Sequence, residues 1–384
     1  MSLLQSDCCP EVFVATGIEV GMGVEPTQHK TTTRQLGQTP ARDISVTVHR
    51  YRGGDGPTVY VQAAQHGIEL NGPAALRRLH NRLCDTKLAG TVIVVPVMNP
   101  LAFDARSYAT PDEYDAQYPN VNRVWPGADD GSFQQQIVAE LWSLAASADA
   151  AIDLHTGTPS MLEHVRVVED DHKATALATA FGTNYRLIGD GPVSSQSPSE
   201  VSYTGNRDET SNADGSVRKT QDGEDNRYTQ PAETFRIAMT RAQIPTITVE
   251  LGNSRTVDRS VAERGAIGVC RVLRQRGMLT ESDMLTDQLP EPPTQHQLKD
   301  DIPVSITPAS GLFEPAANCT VGSKVTDGET LGVVYDPTTF EEQATIVAPG
   351  SGVIYSLSHG GTVFAGERVA SIATPIGNER HTDT

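Results

Sequence analysis

The chain has 384 residues, 38% of them apolar, which is enough to bury a sizeable core and excludes a largely disordered protein. A formal net charge of -18 excludes a general nucleic-acid binder, which needs clustered Lys and Arg to neutralise phosphate, and an anionic membrane would repel it. Only six lysines (Lys30, Lys87, Lys173, Lys219, Lys299, Lys324) stand among the 30 basic residues. That balance resembles halophilic proteins, whose carboxylates keep the surface hydrated in concentrated salt; an ordinary acidic cytoplasmic protein is the alternative.

In chain order, MSLLQSDCCPEVFVATG has neither a basic n-region nor a continuous apolar core, so no signal peptide is expected there. No run reaches the ~18 apolar residues of a membrane span. The cysteines (Cys8, Cys9, Cys84, Cys270, Cys319) read as free thiols in a reducing compartment, which points to the cytoplasm. Residues 44–53 alternate in polarity and predict a strand. Residues 57–67 predict a buried strand ending at His66, and residues 72–84 a helix with Leu76, Leu79 and Leu83 on one face. A second buried strand is expected over 91–100 and a second amphipathic helix over 132–147, with Ile137, Leu141 and Leu144 aligned. Residues 150–157 predict a strand ending at His155, residues 174–182 a helix, 244–252 a strand ending at Glu250, and 261–277 a late helix.

Apolar strands alternating with helices predict an α/β fold with a mostly parallel sheet flanked by helices. Residues 191–232, rich in Ser, Asp, Asn and Gly, interrupt this order as a surface insertion, either over the site or passively solvated. The expected organisation is a large α/β domain over 1–285, a Pro-rich linker over 286–300 and a small all-β domain over 301–376. That last part carries a weak repeat. Gly311 stands ahead of Val325, Gly328 and Leu331, and Gly352 ahead of Val363, Gly366 and Val369. It is similar to the biotinyl/lipoyl-like barrel-sandwich. No Lys follows Lys324 to carry a prosthetic group, so a structural or site-capping role is expected.

His66 and Glu69 sit three residues apart where a strand gives way to a helix, and His155 lies near the end of another strand. Two imidazoles and one carboxylate form a zinc ligand set that leaves a fourth position open, the catalytic pattern. Glu250 ends a third apolar strand and can face the bound water as general base. In α/β sheets ligands gather beyond the carboxyl ends of the strands, where all four residues are expected. Taken singly, each has a bland reading as a chance pair or a hydrogen-bonded strand-end histidine. His164 is the other histidine of interest, because it follows DLHTG closely.

His66-Gly67-Ile68-Glu69-Leu70-Asn71-Gly72 resembles the HGxExxG motif of the succinylglutamate desuccinylase/aspartoacylase family, in the zinc carboxypeptidase superfamily. Asn99-Pro100 with Ala102 and Arg106 resembles its NPxA…R segment, Asn122-Arg123-Val124-Trp125-Pro126-Gly127 its DxNRxFPG segment, Asp153–Gly157 its DLHTG, and Glu250-Leu251-Gly252 its ExG strand end. The resemblance runs in order through about residues 58–275, and the terminal barrel is similar to that of prokaryotic members. It implies one Zn2+ per chain on His66, Glu69 and His155, and Glu250 as the proton carrier. Arg106 would stabilise the oxyanion, and Asn122 and Arg123 would hold a substrate carboxylate. Two departures border that carboxylate pocket: Asn120 stands where the family has Asp, and the stretch from Arg106 to Asn122 is longer and more acidic.

The expected reaction is amide hydrolysis of a small N-acyl amino acid bearing a carboxylate, with N-acetyl-diaminobutyrate as one candidate for a salt-adapted protein. The rival readings are a zinc carboxypeptidase acting on peptides and a non-catalytic binding or carrier protein. Neither a nucleic-acid nor a membrane partner is expected, and the oligomeric state, a homo-oligomer included, stays open.

Overall fold

A computed structural model describes residues 25–157, 160–191, 233–279, 289–358 and 360–377. Cys8, Cys9 and the polar segment from residue 192 to 232 lie outside the described residues.

The chain opens with β1 (Glu25–Pro26), β2 (Gln28–Gln38) and β3 (Asp43–Arg52). Then come β4 (Gly54–Ala63), α1 (Asn71–Cys84), β5 (Lys87–Val95), α2 (Pro100–Ala105), a 3-10 turn over Val121–Arg123 and α3 (Phe133–Ala145). They are followed by β6 (Ala150–Gly157), β7 (Ser160–Met161), β8 (His164–Val168), α4 (His172–Phe181) and β9 (Tyr185–Gly189). After the undescribed segment come α5 (Phe235–Arg241), β10 (Thr246–Asn253), α6 (Arg259–Gln275) and β11 (His296–Lys299).

These strands join in the order β11-β9-β8-β10-β6-β4-β5-β3-β2. The steps β10-β6, β6-β4, β4-β5, β8-β9 and β9-β11 are parallel; β10-β8, β5-β3 and β3-β2 are antiparallel. The sheet is thus mostly parallel, as expected, and helices cover both faces.

Side chains alternate across the sheet, and β4 makes the division visible. Val59, Val61 and Ala63 point into one core with Leu76, Leu79 and Leu83 of α1 and Val269 and Leu273 of α6. Tyr60 points into the opposite core with Ile137 and Leu141 of α3 and Phe235 of α5. A strand buried on both faces is mostly apolar, which is why residues 57–63 read as a near-continuous apolar run, with Gln62 as its buried polar member. Helix α3 begins where its sequence says it should: Ser132 and Gln135 form a reciprocal capping box.

The C-terminal strands are β12 (Ser305–Ile306), β13 (Gly311–Pro315), β14 (Lys324–Val325), β15 (Thr330–Tyr335), β16 (Glu342–Val347), β17 (Gly352–Leu357), β18 (Gly361–Val363) and β19 (Arg368–Ile376). The weak repeat has a structural counterpart. The first copy's β13 pairs with the second copy's β18, Gly311 opposite Val363, while the second copy's β17 pairs with the first copy's β14, Gly352 opposite Val325. Val325, Leu331, Val363 and Val369 share one small core. Gly328 and Gly366 both take positive φ (78° and 90°), where a side chain would be strained, at matching turns.

Two pairings join this region to the larger sheet. Strand β11, inside the span expected to be a linker, lies between β9 (parallel) and β19 (antiparallel). Strand β7, in the segment after β6, pairs with β17. Among the described residues no helix is long and apolar enough to cross a membrane.

Candidate active site

Strand β4 stops at Ala63, three residues before His66, because the chain turns out of the sheet: Ala64 takes φ 54°. Residues 65–69 then cross the carboxyl end of the sheet before α1 begins. Gly67 is where this crossing runs against α2. A Cβ there would lie 1.9 Å from the Ala102 carbonyl oxygen and 2.4 Å from the Phe103 nitrogen. Gly72 faces a similar limit, with the Ala63 Cβ at 2.9 Å. Both glycines of the HGxExxG motif therefore permit close packing. Between them, Asn71 donates to the Leu251 carbonyl (2.8 Å) and accepts from the Asp258 N–H (2.8 Å), tying the loop to the end of β10.

His66, Glu69 and His155 converge. One ligand atom from each lies within 4.8 Å of the others, and all three side chains are buried. His66 Nδ1 is 3.1 Å from the Tyr108 carbonyl oxygen, to which it donates, and its ring stacks on Tyr108 at 3.8 Å and 8°. That contact leaves Nε2 for a metal. His155 has the opposite arrangement: Nε2 meets Asp153 Oδ2 at 2.8 Å, and Nδ1 is 3.1 Å from Glu69 Oε2. The same Glu69 oxygen accepts from the Thr156 N–H at 3.1 Å.

Asp153 is held in turn. Gln65 Nε2 donates to its Oδ2 (2.7 Å), Gln62 Nε2 to its Oδ1 (3.1 Å), and Trp125 Nε1 to Gln65 Oε1 (2.9 Å). Buried polar groups keep one geometry only when each is satisfied, and this chain fixes the His155 ring.

The electrostatics follow from burial and mutual proximity. Burial pushes the Glu69 carboxyl up to about 7, with Glu250 adding to the rise and His155 opposing it. Burial, and then the neighbouring His155, hold His66 well below the usual range. Burial also opposes charge on His155, but Asp153 and Glu69 outweigh it and hold that imidazole well above its usual range. A divalent cation would satisfy both carboxylates and release His155 from its proton. Two imidazole nitrogens, one carboxylate and a carboxylate behind one imidazole fit zinc chemistry.

Glu250 lies inside β10 rather than at its end, since the strand continues through Asn253 past an irregularity in register. It is the register partner of His155 on β6 and of His164 on β8. His164 is buried. It donates from Nδ1 to the Leu162 carbonyl (2.8 Å) and accepts at Nε2 from Arg166 Nε (3.3 Å). Burial, then the Arg166 charge, push it down to about 3. The Arg166 guanidinium reaches Asp300 Oδ2 (3.1 Å) and the Tyr355 hydroxyl (3.3 Å), both beyond β10 in the chain.

The remaining expected residues are placed unevenly. Arg106 caps α2 in a left-handed conformation (φ 53°) with its side chain exposed. Among the described residues its guanidinium makes no hydrogen bond or ion pair, and nothing draws it toward the buried cluster. Asn122 accepts from the Phe235 N–H (2.9 Å), so its carbonyl oxygen is occupied at the start of α5. Arg123 donates to the Asn122 carbonyl (2.8 Å), and its charge is felt at His66 and Tyr108. Asn120 accepts from the Asn122 N–H (3.0 Å), an acceptor role that needs only a side-chain carbonyl oxygen.

Sequence reasoning did not single out Tyr108, Gln65, Trp125 or Arg166. Gln65 abuts the metal motif and Tyr108 follows Arg106 by two residues, so both had a local signal. Arg166 and Trp125 enter through contacts across the fold.

The family model described as "Succinylglutamate desuccinylase/Aspartoacylase catalytic domain" matches residues 55–276. The N-alpha-acetyl-L-2,4-diaminobutyric acid deacetylase of Halomonas elongata is 34% identical over 154 residues, 38% of this chain and 43% of that protein. The match thus spans less than half of that relative. Among solved structures, a succinylglutamate desuccinylase from Silicibacter sp. TM1040 superposes with TM-score 0.69 at 21% identity, over 93% of this chain and 97% of that one. The product-bound ectoine utilization protein EutE (DoeB) of Ruegeria pomeroyi gives TM-score 0.69 at 23% identity, with 93% and 97% covered. At these identities the structural likeness speaks for the fold. With the catalytic-domain match covering more than half of its length, this chain belongs to the succinylglutamate desuccinylase/aspartoacylase family.

Proposed function

We propose that this protein is a zinc-dependent deacylase that hydrolyses the amide bond of a small N-acyl amino acid. The observation that carries this reading is the buried convergence of His66, Glu69 and His155, with Asp153 behind His155 and Glu250 in register beside it. Zinc bound by those three side chains would supply Lewis acidity for attack on the acyl carbonyl.

The protein's own groups do the rest. The Glu250 carboxylate takes a proton from the attacking water and returns it to the leaving amine. Arg123 and the Asn122 amide grip the substrate carboxylate, and a planar guanidinium is suited to a two-point contact. Arg106, whose side chain has no polar partner among the described residues, turns inward with substrate to meet the developing oxyanion. These cationic groups supply local positive charge in a chain of net charge -18.

Within this class N-acetyl-2,4-diaminobutyrate is the substrate we favour. The support is the Halomonas elongata relative's name and an acidic, lysine-poor composition suited to concentrated salt. The test is turnover by zinc-loaded protein, in high salt, of a panel of N-acyl amino acids beside short peptides. Release of diaminobutyrate from its acetyl derivative, with peptides untouched, is expected. Cleavage of peptides alone would sink the deacylase reading; preference for a succinyl substrate would replace the acyl group proposed, and preference for N-acetylaspartate the amino acid.

A further inference from the structure

A second group of metal-binding side chains sits away from the candidate active site. His29 lies on β2, His49 and Tyr51 on β3, and His80 and Cys84 on α1. His80 and Cys84 are four residues apart, so they share one face of the helix. Helix α1 starts beside Glu69 and is 14 residues long. At about 1.5 Å per residue, Cys84 is about 20 Å from the first site along that axis.

One ligand atom each from His29, His80 and Cys84 lies within 4.8 Å of the others, and all three residues are half-buried. Cys84 Sγ is 3.8 Å from His80 Nδ1 and 3.9 Å from Nε2. Zinc bonds of about 2.0–2.1 Å to nitrogen and about 2.3 Å to sulphur place neighbouring tetrahedral ligands roughly 3.5 Å apart. Closing that gap takes only small side-chain motion.

The surroundings orient the rings as ligand-supporting groups do. Tyr51, buried, meets His80 Nδ1 through its hydroxyl at 2.7 Å. With the proton on Nδ1, His80 donates to the Tyr51 oxygen and keeps the Nε2 lone pair for a metal. His49 Nδ1 lies 3.0 Å from His29 Nε2 and holds that ring. The His29 ring also stacks on Tyr51 at 4.7 Å and meets His80 edge-on at 4.9 Å. Two imidazoles and a thiolate select a borderline-soft divalent ion and disfavour Mg2+ and Ca2+.

We infer that His29, His80 and Cys84 form a second transition-metal site, for zinc or a similar ion, with His49 and Tyr51 orienting its histidines. The site ties the edge pair β2-β3 to the end of α1.

Cobalt(II) tests it on the whole protein, because only the second site contains sulphur. Titration of apo protein with Co2+ is expected to give a sulphur-to-cobalt charge-transfer band in the near ultraviolet. The band should saturate at one equivalent beyond the first site. It should vanish in both Cys84→Ser and His80→Asn, while the visible absorption of cobalt on His66, Glu69 and His155 stays and deacylase turnover is unchanged. A wild-type spectrum without the band would overturn the proposal, whatever the variants do. Persistence of the band in Cys84→Ser would assign it to another cysteine, and persistence unchanged in His80→Asn would remove His80 from the ligand set; either result would overturn the proposal. A failure of the deacylase reading leaves this test intact, since its readout is absorbance.

Discussion

Arg166 on β8 and Asp300, just past β11, form an ion pair at 3.1 Å, and Tyr355 on β17 closes the triangle through Asp300 Oδ1 at 2.9 Å. Arg166 also faces Glu250, whose charge helps hold the guanidinium protonated. Asp300 thereby supplies the counter-charge, and Tyr355 of the C-terminal strands a hydroxyl, to an arginine placed beside the candidate general base. Asp300→Ala leaves the largely enclosed guanidinium with Tyr355 alone on that side. It is expected to cost about 1–3 kcal/mol, measured by denaturant unfolding monitored at fixed pH. An unchanged unfolding midpoint would show that the pair contributes nothing measurable.

Glu250→Gln keeps size and hydrogen bonding but removes the proton acceptor. Turnover should fall roughly 10²–10⁴-fold with zinc content unchanged, because Glu250 is outside the three-ligand cluster. Steady-state kinetics with metal analysis on the same sample decide the point. Normal turnover would remove Glu250 from the reaction.

Asp153 touches no metal ligand atom facing the site, yet it sets which nitrogen of His155 is available. Asp153→Asn is expected to weaken zinc binding about 10–100-fold. Competition against a chromophoric chelator measures it. An unaltered affinity would mean that a neutral side-chain oxygen at position 153 suffices to hold the Nε2 proton and orient the ring.

His164 gives a pH signature. Its folded-state pKa, pushed down to about 3 by burial and then by Arg166, lies below the unfolded value of about 6.5. Asp300 works against the shift, and Glu250 and Tyr355 also face this corner. Between those limits the unfolded chain binds the extra proton. The stability is therefore present above about pH 6.5 and is lost as pH falls toward 3, by at most about 1.4 kcal/mol per pH unit. His164→Asn, which retains a donor for the Leu162 carbonyl, should flatten the acid limb of stability against pH. Parallel acid limbs for the two proteins would contradict this assignment.

Gly67→Ala drives a methyl group into the backbone of α2. We expect a cost of at least about 2 kcal/mol, or displacement of His66 seen as lost zinc affinity. A fully stable, zinc-binding variant would show that α2 gives way cheaply.

The elements legible in the sequence are those whose pattern is set by a two-sided core. Residues 72–84 become α1 and residues 261–277 become most of α6, because Leu76, Leu79, Val269 and Leu273 repeat at helical spacing over the sheet. The less legible strands lie toward the margins. Most of β2 is exposed, so TTTRQ carries little apolar signal, and β11 is four residues held by its neighbours rather than by its own composition. At the site, the convergence of His66, Glu69 and His155 was readable because all three stand at or just past the ends of apolar strands, where side chains gather. Arg166 was not, since its partners Asp300 and Tyr355 lie 134 and 189 residues further along the chain. Tyr108 falls in the stretch that departs from the family pattern, where a resemblance gives no guidance.

The placement of β11 between β9 and β19 has a consequence for biosynthesis. β19 is the last strand among the described residues, and it covers the edge of the sheet that holds Glu250 and His155. On the ribosome, the larger sheet is translated long before that edge strand emerges, so β11 waits with unpaired amides. Nascent chains arrested before residue 368 should therefore depend more on chaperones than the released protein does.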